Sequence, residues 1–408
     1  MTTVYPSIKR ISGNNIASPL GYRAAGLHCG IKHKKNDLAL LVSDVPANAA
    51  GVYTTNAVQA APLLVTKEAI DQSGMMQAII VNSGNANACT GKQGFLDART
   101  MQGLTADKLG ISPHLVGVAS TGVIGEKMPM DCIHSGIPRL EPASGLKGSI
   151  DFSQSILTTD TVSKNTAYRV EIDGKIITIA GTAKGSGMIH PNMATMLGFV
   201  TTDAAIESKH LHQALTSVVD RTFNSITVDG DTSTNDMVIV MANGLAQNDS
   251  LSPSHPDWAV FVQTLLCVCE DLGKMIAKDG EGATKLIEVE VNGAVSDAEA
   301  RAIAKTVVGS PLVKTAIFGC DANWGRILAA VGYSGATLDP NAIRIQIGPA
   351  AVVEDGEPVA FSEEELIEYL KQPEIKLKVD VHQGDGHGLA WGCDLTYDYV
   401  QINASYRT

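Results

Sequence analysis

The sequence lacks an apolar run long enough to cross a bilayer, a paired-cysteine pattern and any excess of basic residues. A membrane helix needs about 18–20 consecutive apolar residues, and the opening MTTVYPSIKR holds no apolar leader core. The seven cysteines (Cys29, Cys89, Cys132, Cys267, Cys269, Cys320, Cys393) make no CxxC pair and no Cys/His set at zinc spacing. They read as free thiols of a reducing cytosol. Acidic residues outnumber basic ones 43 to 31, for a net charge of −12, which argues against a chain built to grip nucleic acid or an anionic membrane. Low-complexity linkers and internal repeats are also missing. Charged residues reach only 18% against 44% apolar, the reverse of a disordered composition. The expectation is a soluble cytoplasmic protein whose 408 residues form two or three domains. Its partners are expected to be small molecules or copies of itself.

Glycine is abundant, at 39 residues, and clusters after short apolar runs as at strand-to-loop junctions. Gln77–Val81, Leu115–Ala119, Lys175–Ala180 and Met196–Val200 read as buried strands bounded by turn formers. Apolar spacing of three and four predicts helices over Asp257–Ala277 and Ser296–Val307, with shorter ones at Asn323–Val331 and Ser362–Leu370. In the last of these Ser362 is the N-cap and Glu365 stands three residues on. Further strands are expected at Lys285–Val291, Ile343–Ile347, Ile375–Val381 and Thr396–Ile402. The class is mixed α/β without a strict βαβ rhythm, and the turn Asp279-Gly280-Glu281-Gly282 is the best candidate domain boundary.

Three loops imitate known sites and fail on detail. Gly84 to Lys92 resembles a phosphate loop, but six residues separate its glycines and Gln93 stands where a Ser or Thr should bind magnesium. Asp229 to Asp236 alternates oxygens like a calcium loop, yet its sixth position is Thr234 and its twelfth is Val240. A self-bonding turn is the better reading. Gly384-Asp385-Gly386-His387-Gly388 reads as a tight turn entering the last strand. No histidine pairing suggests a metal, and no metal site is expected.

The stretch Lys184–Asp203, KGSGMIHPNMATMLGFVTTD, passes from a glycine-rich segment through a His-Pro corner to Ala194-Thr195 directly before an apolar strand. It reads either as a surface loop entering the core or as a self-cleaving peptide bond. In the second reading Thr195 Oγ attacks the Ala194 carbonyl, and water hydrolyses the resulting ester. A Thr hydroxyl is a poor nucleophile without an adjacent base. A freed α-amino group, with an ordinary pKa of about 7.7–8.0, is such a base on the nucleophile itself. Donors for the oxyanion are sought at Ser120-Thr121-Gly122, a polar turn ending a buried strand.

At this point the chain resembles the ornithine acetyltransferase family, the glutamate N-acetyltransferases of arginine biosynthesis, over essentially its whole length. The motifs are SGNANACTG (Ser83–Gly91), STGVIG (Ser120–Gly125), TTDT (Thr158–Thr161), KGSGMIHPNMATML (Lys184–Leu197), ITVDGDTSTND (Ile226–Asp236), DGEGATK (Asp279–Lys285) and the terminal NASYRT (Asn403–Thr408). The resemblance implies cleavage into an α chain (1–194) and a β chain (195–408), and an α2β2 assembly. It also implies ping-pong transfer of acetyl from N2-acetylornithine to L-glutamate through an acetyl-Thr195 ester, without a cofactor. Thr121 and Gly122 match the oxyanion pair; Thr158, Lys184, Thr195, Glu281, Asn403 and Thr408 match substrate-binding positions. Lys184 would meet an α-carboxylate and Glu281 the ornithine ammonium, and an extension beyond Thr408 would impair turnover. Acetyl-CoA as a second donor is left open. The fold implied is a layered αββα core (1–282) with a smaller C-terminal α/β domain (283–408).

Two other readings stay open on the residues alone: an aminopeptidase or amidase on the same self-cleaving scaffold, and an uncleaved binding protein for acidic metabolites. Cutting at Ala194–Thr195 divides the charge unequally. Residues 1–194 hold 17 basic and 13 acidic residues, net +4; residues 195–408 hold 14 and 30, net −16. Opposite signs favour continued association, although apolar burial should dominate it.

Overall fold

The computed structural model describes residues 7–13, 15–190 and 196–405. Two compact units are present: one comprises residues up to 185, 192–220 and 232–272, the other 186–191, 221–231 and 273 onward. Strands β1 (Lys9–Arg10), β2 (Tyr22–Leu27), β3 (Leu38–Tyr53), β4 (Met75–Asn85), β5 (Val116–Val123), β6 (Lys164–Ile172), β7 (Lys175–Lys184) and β8 (Leu197–Thr202) belong to the first unit. Strand β9 (Ile226–Thr227) belongs to the second unit, and β10 (Met237–Ala242) returns to the first. The first unit's nine strands run β1-β6-β7-β8-β10-β3-β4-β5, with β2 also on β3.

Sixteen-residue β3 organises that sheet. Leu38–Val42 pair with β4 residues 78–82, the register then breaks, and Ala47 and Asn48 pair with Met76 and Met75. On the other side Asn48–Tyr53 pair with β10. The sheet thus has two halves, and their inner faces share one core. Ala39, Leu41, Ile79 and Ala119 come from one half, and Leu197, Phe199, Met237 and Ile239 from the other. Alternate residues of the first half (Leu38, Leu40, Ala78, Ile80, Val116, Val118) face outward, as a two-residue period requires. Helices α1 (Ala61–Ser73) and α2 (Gly91–Leu109) cover them through Val65, Ala98 and Met101. Both helices end on a left-handed glycine, Gly74 and Gly110, whose amides return to the last turn. Helices α3 (Met130–Gly136) and α4 (Leu146–Ser155) follow, Phe152 of α4 meeting Phe199 edge-on. Next come α5 (Ser208–Arg221) and α6 (Trp258–Lys278). Val268 and Leu272 of α6 lie so close to Gly181 that a Cβ there would come within 2.8 Å of Leu272 Cδ1. The layers are therefore α, β, β, α, the order the resemblance implied.

The second unit carries α7 (Asp297–Gly309), α8 (Pro311–Phe318), α9 (Trp324–Gly332), α10 (Glu363–Leu370) and α11 (Tyr397–Ala404). Its strands are β9, β11 (Leu286–Ala294), β12 (Arg344–Ile347), β13 (Ala350–Glu354), β14 (Glu357–Pro358), β15 (Glu374–Asp380) and β16 (Gly386–Cys393), ordered β14-β13-β12-β15-β11-β16-β9. Ile287, Val289 and Val291 of β11 pack with Ala300, Ile303 and Val307 of α7. The intervening Glu288 and Glu290 pair with Lys376 and Lys378. Ser362 caps α10 by accepting the Glu365 amide, as its spacing predicts.

One expected strand is a helix. Thr396–Ile402 alternates like a strand, but its residues form α11, with Tyr397 and Val400 exposed and no buried residue. Alternation without a neighbouring strand to pair with does not make a strand. The real last strand is β16, disguised by its glycines. They are there because α7 lies against it: a Cβ on Gly388 would sit 2.4 Å from Arg301 N, and one on Gly386 would sit 2.4 Å from the Ser296 carbonyl carbon.

Candidate active site

The ends of β4 and β5 build the first part of the site. Ala119 faces the shared core, so Thr121, two residues on, lies on the same face. Ser83 and Gly84 stand opposite Thr121 and Gly122, and the register shifts there. Gly122 has φ +133°, and a Cβ on it would lie 2.3 Å from the Gly84 carbonyl carbon. Only glycine fits so close a crossing of two backbones. The SGNANACTG motif is the framework beneath it. Asn82 accepts from Ser120 Oγ and donates to the Asn85 carbonyl at 2.9 Å. Asn85 donates to the carbonyls of Glu126 and Lys127, and Asn87 to that of Gly94. Asn235, just before β10, donates to the carbonyls of Ala86 and Ser120 at 2.6 and 2.9 Å. These buried side-chain amides tie the ends of β4 and β5 to the loops and the helix around them.

Lys184 closes β7 directly opposite Leu197, the first residue of β8, and Leu197 stands opposite Met237 of β10. Leu197 and Met237 belong to the shared core, so Lys184 is on that inner face too, and it is buried. Asp160 ties it to Thr158. Its carboxylate accepts the Thr158 amide at 3.0 Å, the Gly185 amide at 2.7 Å and the Lys164 ammonium at 2.7 Å. Asp160 and Lys164 are both fully buried side chains. Burial alone would raise the Asp160 carboxyl, but the positive charges of Lys184 and Lys164 and these hydrogen bonds hold it below the usual carboxylate range. Asp236 behaves oppositely: burial pushes its pKa up, and its Oδ2 has no hydrogen-bond partner.

The second unit holds the other two candidates side by side. Asn403 Nδ2 donates to Glu281 Oε2 at 2.8 Å, and the Glu281 amide donates to the Ser186 carbonyl at 3.0 Å. The Glu281 carboxylate lies against Gly187, where a Cβ would come within 2.4 Å of both its oxygens. That contact explains a glycine in the KGSGM stretch. Asp229, the first residue of the calcium-like loop, spends its carboxylate on the amides of Met188, Ile189 and Asp231. His190 Nδ1 lies 2.9 Å from Thr227 Oγ1. Burial and the Lys305 charge lower the His190 pKa to about 4, so the ring is neutral at pH 7.

Thr121, Gly122, Thr158 and Lys184 therefore gather in the first unit, and Glu281 and Asn403 in the second. Ala194, Thr195 and Thr408 lie outside the described residues. Sequence reasoning passed over Asp160, Lys164 and Asn235, although each sits in or beside a quoted motif. Asp160 and Lys164 stand four residues apart at the start of β6, a spacing too common to single them out without the fold.

The ArgJ family's sequence model matches residues 23–408. A Halalkalibacterium halodurans protein named arginine biosynthesis bifunctional protein ArgJ is 57% identical over 403 residues, 98% of each chain. The Bacillus subtilis protein of the same name is 55% identical over 401 residues, again 98% of each. A crystal structure of the ArgJ protein from Bacillus halodurans is 61% identical with a TM-score of 0.50, covering 51% of this chain and 98% of that one. A structure of ornithine acetyltransferase complexed with ornithine from Mycobacterium tuberculosis is 38% identical, covering 46% of this chain and 100% of that one, with a TM-score of 0.44.

Proposed function

Because the chain belongs to the ArgJ family of arginine-biosynthesis acyltransferases, we propose that it moves acetyl from N2-acetylornithine to L-glutamate through an ester on Thr195. The observation that carries this reading is the inner-face row of β7, β8 and β10. Lys184 stands across from Leu197, two residues after Thr195 in the chain, and Thr121 faces the same core from β5.

In the proposed sequence, Thr195 Oγ attacks the Ala194 carbonyl, the amide nitrogen leaves as the new α-amine, and water hydrolyses the ester to leave Ala194 as a carboxylate. That amine then takes the Thr195 hydroxyl proton as Oγ attacks the acetyl carbonyl of N2-acetylornithine. Thr121 and Gly122 stabilise the oxyanion. The tetrahedral intermediate expels ornithine, whose leaving nitrogen takes the proton. The glutamate amine attacks the acetyl ester, Oγ recovers its proton, and N-acetylglutamate departs. Every proton has a carrier among these groups, so the chemistry calls for no cofactor. Thr158, Lys184, Glu281, Asn403 and Thr408 hold the two substrates, with Lys184 on the α-carboxylate.

The length of the crystallised Bacillus halodurans chain supports cleavage, since 51% of this chain covers 98% of it. A cut before Thr195 leaves 214 of the 408 residues, about half, in the β chain. We extend the proposal to an α2β2 assembly in the cytoplasm and, since the relatives are named bifunctional, to acetyl-CoA as a second donor. No helix among the described residues is long and apolar enough to cross a membrane. Formation of N-acetylglutamate with acetyl-CoA as the only donor tests the second donor. Thr195→Ala tests the core of the reading. On a denaturing gel the wild type gives two bands of roughly half the 42.8 kDa precursor, and the variant gives one intact, inactive chain. Cleavage of the variant would overturn the mechanism.

A further inference from the structure

We propose that Lys32 is a specificity residue that binds the γ-carboxylate of the glutamate acceptor. This rests on the reading that acetyl passes to glutamate. Glutamate brings two carboxylates to a pocket where the donor brings one carboxylate and an ammonium, so a second cation beyond Lys184 is needed for the acceptor alone.

The structure presents Lys32 for that role. Its loop is pinned by the buried Asp37 carboxylate, which accepts the amides of Cys29, Gly30 and Lys32 at 2.7, 3.2 and 2.8 Å. Its stem packs against Gly84, where a Cβ would lie 3.1 Å from Lys32 Cγ, and Gly84 is the residue on which Gly122 crosses. Its ammonium donates to the carbonyls of Leu157 at 2.6 Å and Asn36 at 2.9 Å. Leu157 precedes Thr158, whose amide bonds the Asp160 carboxylate that also takes the Gly185 amide beside Lys184. One short path of contacts thus joins Lys32 to the oxyanion pair and to Lys184.

The charges in this neighbourhood do not balance. Three ammonium groups, Lys32, Lys164 and Lys184, stand with two carboxylates: Asp160, which Lys164 already engages, and Asp37, which is spent on backbone amides. Among the described residues neither Lys32 nor Lys184 makes an ion pair, and the third N–H of the Lys32 ammonium has no acceptor. An anion placed there would supply the missing charge. The groups facing Lys32 are Asp37 and Asp160, which favour its charge, and Lys35 and Lys184, which oppose it. Burial is the largest influence and brings its pKa down to about 8.

The test is acceptor preference: the ratio of kcat/KM for glutamate to that for glutamine, which has the same shape without the γ charge. Lys32→Gln is expected to lower this ratio at least tenfold, and Lys32→Arg to keep it within about threefold of wild type. The wild-type ratio is expected to fall between pH 7 and 9 as Lys32 loses its proton. Titration of the nucleophile cancels in the ratio, and the pH arm needs no variant to fold. An unchanged ratio in Lys32→Gln, or a wild-type ratio flat across that range, overturns the assignment even if overall rates drop. A wild type that acetylates neither acceptor would instead defeat the parent reading.

Discussion

At the scale of single residues the candidate site depends on one acid. Asp160 holds the backbone at Thr158 and at Gly185, and it is the counter-ion of a lysine with no exposed atoms. Removing one partner of such a pair leaves the other charge buried without compensation, which costs about 3–5 kcal/mol. Asp160→Asn is expected to lose that much in urea denaturation and to weaken catalysis with both substrates, because Thr158 and Lys184 shift together. Adding Lys164→Met should restore part of the stability and none of the activity. Nothing in TTDT singles out its acid before the fold is known, since a lone Asp between threonines reads as a turn residue. Only the hydrogen bond to Gly185, 25 residues on, reveals its place. Thr121 and Gly122 were easier to find, because a polar Ser-Thr-Gly turn closing an apolar strand is a local pattern.

Among elements, the β4–β5 crossing at the candidate site tolerates little change. A methyl group on Gly122 meets the Gly84 backbone, which cannot swing aside as a side chain can, and its φ disfavours any other residue. Gly122→Ala is expected to cost about 1–3 kcal/mol in thermal unfolding and to reduce kcat far more than it raises KM. Equal effects on both would argue that Gly122 shapes only the fold. Elements with a strong local period were legible beforehand: the strands at β4, β5, β7 and β8 and the long helix α6. Those defined by distant partners were not. Strand β16 hides behind glycines that α7 imposes on it, and α11 carries an alternation that no neighbouring strand uses. The long β3 was missed too. Its small residues, Ala47 to Gly51, look like a loop until β4 and β10 are seen bonded along it.

For the molecule as a whole, the pairing of β8 and β10 governs what a cut at Ala194–Thr195 can do. Both strands follow the cut, and together they sit between β7 and β3, which precede it. Under the proposed cleavage, hydrogen bonds on both flanks and the shared apolar core, aided by charges of +4 and −16, would hold the halves together after the bond is gone. Both products are therefore expected to co-elute on size exclusion in native buffer and at 1 M salt, and to separate only in denaturant. Salt-induced separation would mean that charge, not the sheet, joins them.

The same interleaving sets a timetable during synthesis. Tyr53 leaves the ribosome long before Met237, its eventual neighbour across the sheet. Until the later segment is translated, β3 and β7 stand as two unfilled borders of a half-made sheet, each able to recruit a strand from another nascent chain. Translation as one continuous polypeptide keeps the proper filler tethered nearby, which a gene split into two separately translated halves would forfeit. The proposed scission, coming late, would then serve assembly as well as catalysis: the chain would stay whole for as long as its own connectivity is the best chaperone it has.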